Sequence, residues 1–151
     1  MGRRGVAAFV RVRVVSDLPV GYRPDPELDP AETHVGPFLR QDGPDGPVIG
    51  LVVQAHHCNE HGAIHGGVQM ALADYTVGVT ARHGTDDATV TVSFDANFID
   101  TARAGDLVEG RADVVRRTGS LCFVQGRLTC DGRPLLAFNG VVKRLRPKPP
   151  A

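Results

Sequence analysis

The 151-residue sequence has no tryptophan, only two tyrosines and three cysteines, and no charge imbalance, its 17 basic residues matching its 17 acidic ones. Each shortage excludes something. A zero net charge supplies no global field to draw in nucleic acid or an anionic membrane. Cationic side chains gather only at the ends, at Arg3, Arg4, Arg11 and Arg13 and at Lys143, Arg144, Arg146 and Lys148, as solvated termini do. Cys58, Cys122 and Cys130 are too few and too unevenly spaced for a disulfide framework, and reduced thiols fit a cytosolic protein. No apolar run is long enough for a bilayer span: the most apolar stretch, 68–81, is short and carries Gln69 and Asp74. The amino end, M-G-R-R-G-V-A-A-F-V-R-V-R-V-V, imitates a signal peptide, but Arg11 and Arg13 break the run and no cleavage signature follows. The expectation is a soluble, cytoplasmic protein without nucleic-acid or membrane partners.

What is present is ordinary globular composition, 42% apolar and 23% charged, in a chain of single-domain length. Residues 1–33 hold Pro19, Pro24, Pro26 and Pro30 among charges and read as an extended or irregular arm, with Val10, Val12 and Val14 offering a short strand. Apolar runs at 36–39 and 48–56 flank D-G-P-D-G-P, a hairpin loop between two strands. After a central helix ending near His83-Gly84, the period changes to two: Val90, Val92, Phe94, Ala96 and Phe98 alternate with polar residues. Turns at 104–106, 118–119 and Asp131-Gly132 divide the remainder into strands 107–117, 120–130 and 134–145, followed by a frayed tail, 146–151. Two strands, one long helix and a four-strand meander make an α+β domain over 34–145, an antiparallel sheet around the helix.

The organising stretch is Asn59–Arg82. Val68, Leu72, Tyr75 and Val79 form one apolar stripe, and Met70, Ala71, Asp74, Val77 and Ala81 a second. A helix apolar on two stripes is buried, and a carboxylate there is costly unless something pairs with it or uses it. His65-Gly66-Gly67 opens the helix with close backbone approach and free N–H groups, a place for an anionic oxygen. An amide donor site and an isolated acid in one segment read as an active site. The plainer alternatives are an Asp74 satisfied by Tyr75, Thr76 or a backbone amide, a His65 packed before the helix, and an Asn59 that forms a turn.

With Asn59, His65-Gly66-Gly67, Asp74, the strand T-V-T-V-S-F-D-A-N-F and the G-D at 105–106 in view, the chain resembles the hotdog-fold thioesterases of the phenylacetate-degradation (PaaI-type) branch, in the 4-hydroxybenzoyl-CoA thioesterase superfamily. The resemblance covers roughly 34–145. It implies a sheet of five to six strands around one central helix and hydrolysis of an acyl-CoA thioester, without cofactor or metal. Carried over, Asp74 is general base or nucleophile, the Gly66 amide polarises the carbonyl, and Asn59 holds substrate or water. His65 and Gly67 lie beside the carbonyl, and Thr91 supports the water, with Ser93 its competitor.

The chemistry suits these residues. Attack on a thioester makes an oxyanion, and a backbone N–H at a helix start is a fixed donor for it; a desolvated aspartate serves as base or nucleophile. Asp74 lies eight residues beyond Gly66, about 12 Å along a helix, too far for both to act on one carbonyl from the same chain. Two antiparallel helices around a two-fold axis would bring each Gly66 to the other chain's Asp74, which requires a homodimer, with a tetramer of paired dimers left open.

Rival readings carry less. His56, His57, Cys58, His61 and His65 crowd together, but Gly62 breaks the segment and no Cys-x-x-Cys accompanies it. None of Ser16, Ser93 and Ser120 sits in G-x-S-x-G. A hydratase on the same fold fits the acid-plus-H-G-G spacing less well than hydrolysis does. A non-catalytic acyl-thioester-binding protein is the alternative from another class, and it would gain stability from an apolar residue at 74. Arg82, Arg103, Arg116, Arg117 and Lys143 are candidate cations for coenzyme A phosphates.

Overall fold

A computed structural model describes residues 17–145; the expected strand at Val10–Val14, the outermost basic residues and the tail 146–151 lie outside the described residues. In chain order the elements are β1 (Arg23–Pro24), α1 (Pro30–Val35), β2 (Leu39–Gly43), β3 (Gly46–Val52), a 3-10 turn (Ala55–His57), α2 (Gly66–Arg82), β4 (Ala88–Phe98), β5 (Leu107–Arg117), β6 (Leu121–Cys130) and β7 (Arg133–Leu145). The strands form one antiparallel sheet in the order β1-β2-β3-β5-β6-β7-β4, and α2 packs across β3 to β7. This is the expected α+β arrangement. Among the described residues no helix is long and apolar enough to cross a membrane.

Local chemistry sets the boundaries. Asp131 and Gly132 both take positive φ, 49° and 77°, the geometry a two-residue hairpin needs between β6 and β7. α2 stops where Gly84 enters the left-handed region at φ 75°, and Arg117 of β5 donates to the Ala81 carbonyl at 2.6 Å, satisfying an orphan acceptor of the last turn.

Glycines in the sheet let α2 sit close. A Cβ at Gly110 would lie 2.3 Å from Thr76 Oγ1, and one at Gly140 would lie 2.7 Å from Val77 Cγ1. Val77 is fully buried and branched at Cβ, so it has little room to yield. We expect Gly140→Ala to cost about 1–3 kcal/mol by overpacking, read as a lowered urea midpoint at unchanged slope; an unchanged midpoint would mean that the helix can lift off the sheet freely.

Of the stretch read as an arm over 1–33, the described residues 17–33 carry β1 and the start of α1, and the sheet has seven strands where about five to six were expected. β1 pairs with β2 as a seventh strand, and α1 begins on a capping box in which Asp29 accepts from the Glu32 amide and Glu32 from the Asp29 amide, each at 2.9 Å. The prolines that looked like breakers stand where proline costs nothing, Pro24 in an outermost strand and Pro30 at the first helical position. Tyr22 donates to Glu109 on β5 and Arg23 to Asp42 on β2 at 2.7 Å, so this segment is fastened to the sheet.

Two further expectations are corrected. α2 is buried on one side only: Leu72, Ala73, Tyr75, Thr76, Val77, Val79, Thr80 and Ala81 face the core, while Met70 and Gly78 are half-buried and Asp74 is exposed. The sheet wraps the helix from one side, so the second stripe splits between core and open surface. The strict alternation over 90–98 also fails, because the pairing of β4 with β7 shifts register between Thr91 and Ser93. Phe94 and Ala96 pack against the core, whereas Val90 and Val92 are 45% and 54% exposed.

Candidate active site

The start of α2 is built by the residues that precede it. Asn59 Oδ1 accepts from the amides of His61 at 2.9 Å and Ala63 at 3.2 Å, which closes the loop before the helix. His57 is buried, accepting from the Gln54 amide at Nδ1 and bonding the Gly36 carbonyl through Nε2; burial and then His56 hold its pKa below the usual value. His65 is the N-cap, its Nδ1 accepting from the Gly67 amide at 2.9 Å. That places the neutral ring's proton on Nε2.

The H-G-G segment therefore divides its donors. The Gly67 N–H is committed to His65, which corrects the expectation of several free amides there. The Gly66 N–H, at the first helical position, has no acceptor among the described residues. The Phe98 ring stands over Gly66, 3.2 Å from where a Cβ would sit. Among the described residues no hydrogen bond joins Ser93, Asn59 or the His65 ring to Asp74.

Asp74 is exposed in the single chain, so the expected desolvation is not supplied by its own protomer. Nor is it satisfied by Tyr75, Thr76 or a backbone amide. Its Oδ1 accepts from Thr91 Oγ1 at 2.7 Å. The register shift at Val92 is what gives Thr91 rather than Ser93 this position. The carboxylate and the free Gly66 amide lie on the uncovered strip of one helix, about 12 Å apart along its axis. A base held by a hydroxyl and a lone amide donor at a helix start are the two parts that hydrolysis of an activated acyl group needs.

Of the candidate coenzyme cations, Arg117 is spent on the end of α2 and Arg82 reaches Glu27 at 3.5 Å. Sequence reasoning missed Glu32, which α1 carries to the wall of the hollow around Asp74. The capping-box spacing from Asp29 to Glu32 was the signal that could have located α1.

The chain matches the family model for the thioesterase superfamily over residues 61–137. A Pseudomonas aeruginosa protein named as an esterase is 30% identical over 128 residues, spanning 83% of this chain and 96% of that one. The solved structure of phenylacetic acid degradation protein PaaI from Thermus thermophilus, in a mutant form, superposes with a TM-score of 0.68 at 28% identity, covering 78% of this chain and all of that one. A hypothetical thioesterase protein from Streptococcus pneumoniae, solved with coenzyme A, shares the fold at 19% identity and a TM-score of 0.66, over 72% of this chain and 85% of that chain.

Proposed function

This chain belongs to the thioesterase superfamily and has its hotdog fold, and from that premise we propose that it hydrolyses acyl-CoA thioesters at sites shared between two copies. The carrying observation is the Asp74 carboxylate, held by Thr91 on the uncovered strip of α2. One chain cannot close the site, because its own Gly66 amide is about two helical turns away. A second copy with its α2 antiparallel supplies that amide and covers the strip, withdrawing Asp74 from water. β4 supports this pairing: it bonds only β7 among the described residues and exposes Val90 and Val92 at the open edge.

In this reading the thioester carbonyl oxygen accepts from one subunit's Gly66 N–H. Asp74 of the other subunit takes a proton from water beside Thr91 as the oxygen attacks; as a nucleophile, it attacks the carbonyl itself, and water then hydrolyses the mixed anhydride to free the acid and restore the carboxylate. Collapse of the oxyanion breaks the C–S bond, and the coenzyme A sulfur leaves and takes up a proton. Asn59 holds the loop that aims the Gly66 amide, and His65 fixes the helix start by capping it. The coenzyme A bound in the Streptococcus pneumoniae relative supports the choice of thiol carrier, and three free cysteines fit a reducing cytoplasm.

The test is release of free thiol from acyl-CoA by the purified protein. Thr91→Val, which removes the hydroxyl and keeps the shape, lowers kcat about tenfold for one lost hydrogen bond, while Ser93→Ala changes it little. No thiol release from any acyl-CoA would overturn the reading.

A further inference from the structure

A groove runs along α2 from Asp74 past Gly78 to Arg82, residues four apart on one helical face. It consists of two adjoining hollows, about 240 and 400 Å³, that share Glu32, Tyr75, Arg82 and Thr89 as walls. β4 forms one side and α1 the other. Glycine at 78 keeps the floor low despite its cost in a helix interior. Over that floor lies the Arg82 guanidinium, its Nη1 3.4 Å from where a Cβ on residue 78 would sit. Arg82 therefore reaches back toward Asp74, to within about one helical turn of it.

The far end of the groove has both kinds of polar partner. Arg82 offers N–H donors, held among the described residues only by a 3.5 Å contact to the half-exposed Glu27. Glu32 offers an acceptor: Oε2 takes the Asp29 amide, and Oε1 has no partner among the described residues. Burial lifts the Glu32 pKa, with the Asp29 amide and the Arg82 charge opposing the rise and the Asp29 and Asp74 charges adding to it. Four carboxylates, Glu27, Asp29, Glu32 and Asp74, line the groove with the Arg82 guanidinium, and Arg40 reaches Glu27 from outside it at 3.8 Å.

Resting on the thioesterase reading above, we propose that this groove is the acyl subsite, that Glu32 and Arg82 together take a neutral hydroxyl on the acyl chain, and that they turn away acyl groups ending in a carboxylate. A hydroxyl donates to Glu32 and accepts from Arg82, satisfying both. A carboxylate can use only Arg82 and must face the like charges of Asp29, Glu32 and Asp74. A segment of the chain that the family match does not reach, α1, thereby selects the substrate.

Three acyl-CoAs of equal chain length test this: hexanoyl, 6-hydroxyhexanoyl and adipoyl. In the wild type kcat/KM should fall in the order hydroxyhexanoyl, hexanoyl, adipoyl, with about a hundredfold between the extremes for one satisfied and one repelled end group. Glu32→Gln removes the charge while its side-chain oxygen still closes the capping box, and should raise adipoyl relative to hexanoyl about tenfold. Three equal values in the wild type, or an unchanged adipoyl-to-hexanoyl ratio in the variant, would overturn the subsite while leaving thioesterase activity standing. No thiol release from any of the three would overturn the underlying function and the subsite together.

Discussion

Asp74→Asn should lower kcat by roughly 10²–10⁴-fold, the usual contribution of a positioned general base, and leave the melting temperature where it was. The side chain is exposed, and among the described residues its one hydrogen bond comes from the Thr91 hydroxyl. Asparagine keeps the size and an oxygen that can accept from Thr91, so packing and that bond both survive. It loses the ability to take a proton or to attack as a carboxylate. Circular dichroism and thermal melts check the fold, and thiol release checks the chemistry. A variant with wild-type turnover would remove Asp74 from the mechanism.

Mixing two dead subunits should restore activity. Gly66→Pro deletes the one backbone N–H that the proposal uses and little else. Proline is favoured at a first helical position, and His65 already has φ −65° and ψ 138°, the extended geometry required before proline. The added ring meets Phe98, which is 56% exposed and free to turn aside. Loss of an oxyanion donor costs roughly 10²–10³-fold in kcat. When Gly66→Pro and Asp74→Asn chains are unfolded, mixed and refolded, half the dimers are mixed and each has one intact site of two, giving about a quarter of wild-type activity. Sites contained within single chains would show no recovery at all.

The elements with strong local signals were legible in the sequence. Asp131-Gly132 named its hairpin because only left-handed backbone joins those strands so tightly. The long helix showed in its apolar spacing, although its start at Gly66 depended on a histidine cap that no preference for Ser, Asp or Asn would suggest. Asp74 stood out in the sequence as an acid among apolar residues, whereas the structure leaves it exposed on its own chain. Spacing along a helix says which residues share a face and not whether the same chain covers it. Thr91 and Ser93 could not be separated, because a register shift at one residue reverses every facing beyond it and leaves no mark in composition. α1 was hidden by prolines that usually signal irregular chain; Glu32 takes its place beside Asp74 through tertiary packing, which pattern alone does not carry.

The open border of β4 has a consequence for handling the protein. Eleven residues of strand with one flank unbonded among the described residues, and with Val90 and Val92 outward, form a template on which any extended peptide could grow. A lone protomer would thus be sticky as well as inactive. Dilution or edge mutations should yield turbidity and chaperone capture in place of a tidy monomer, so solubility and activity would be lost together.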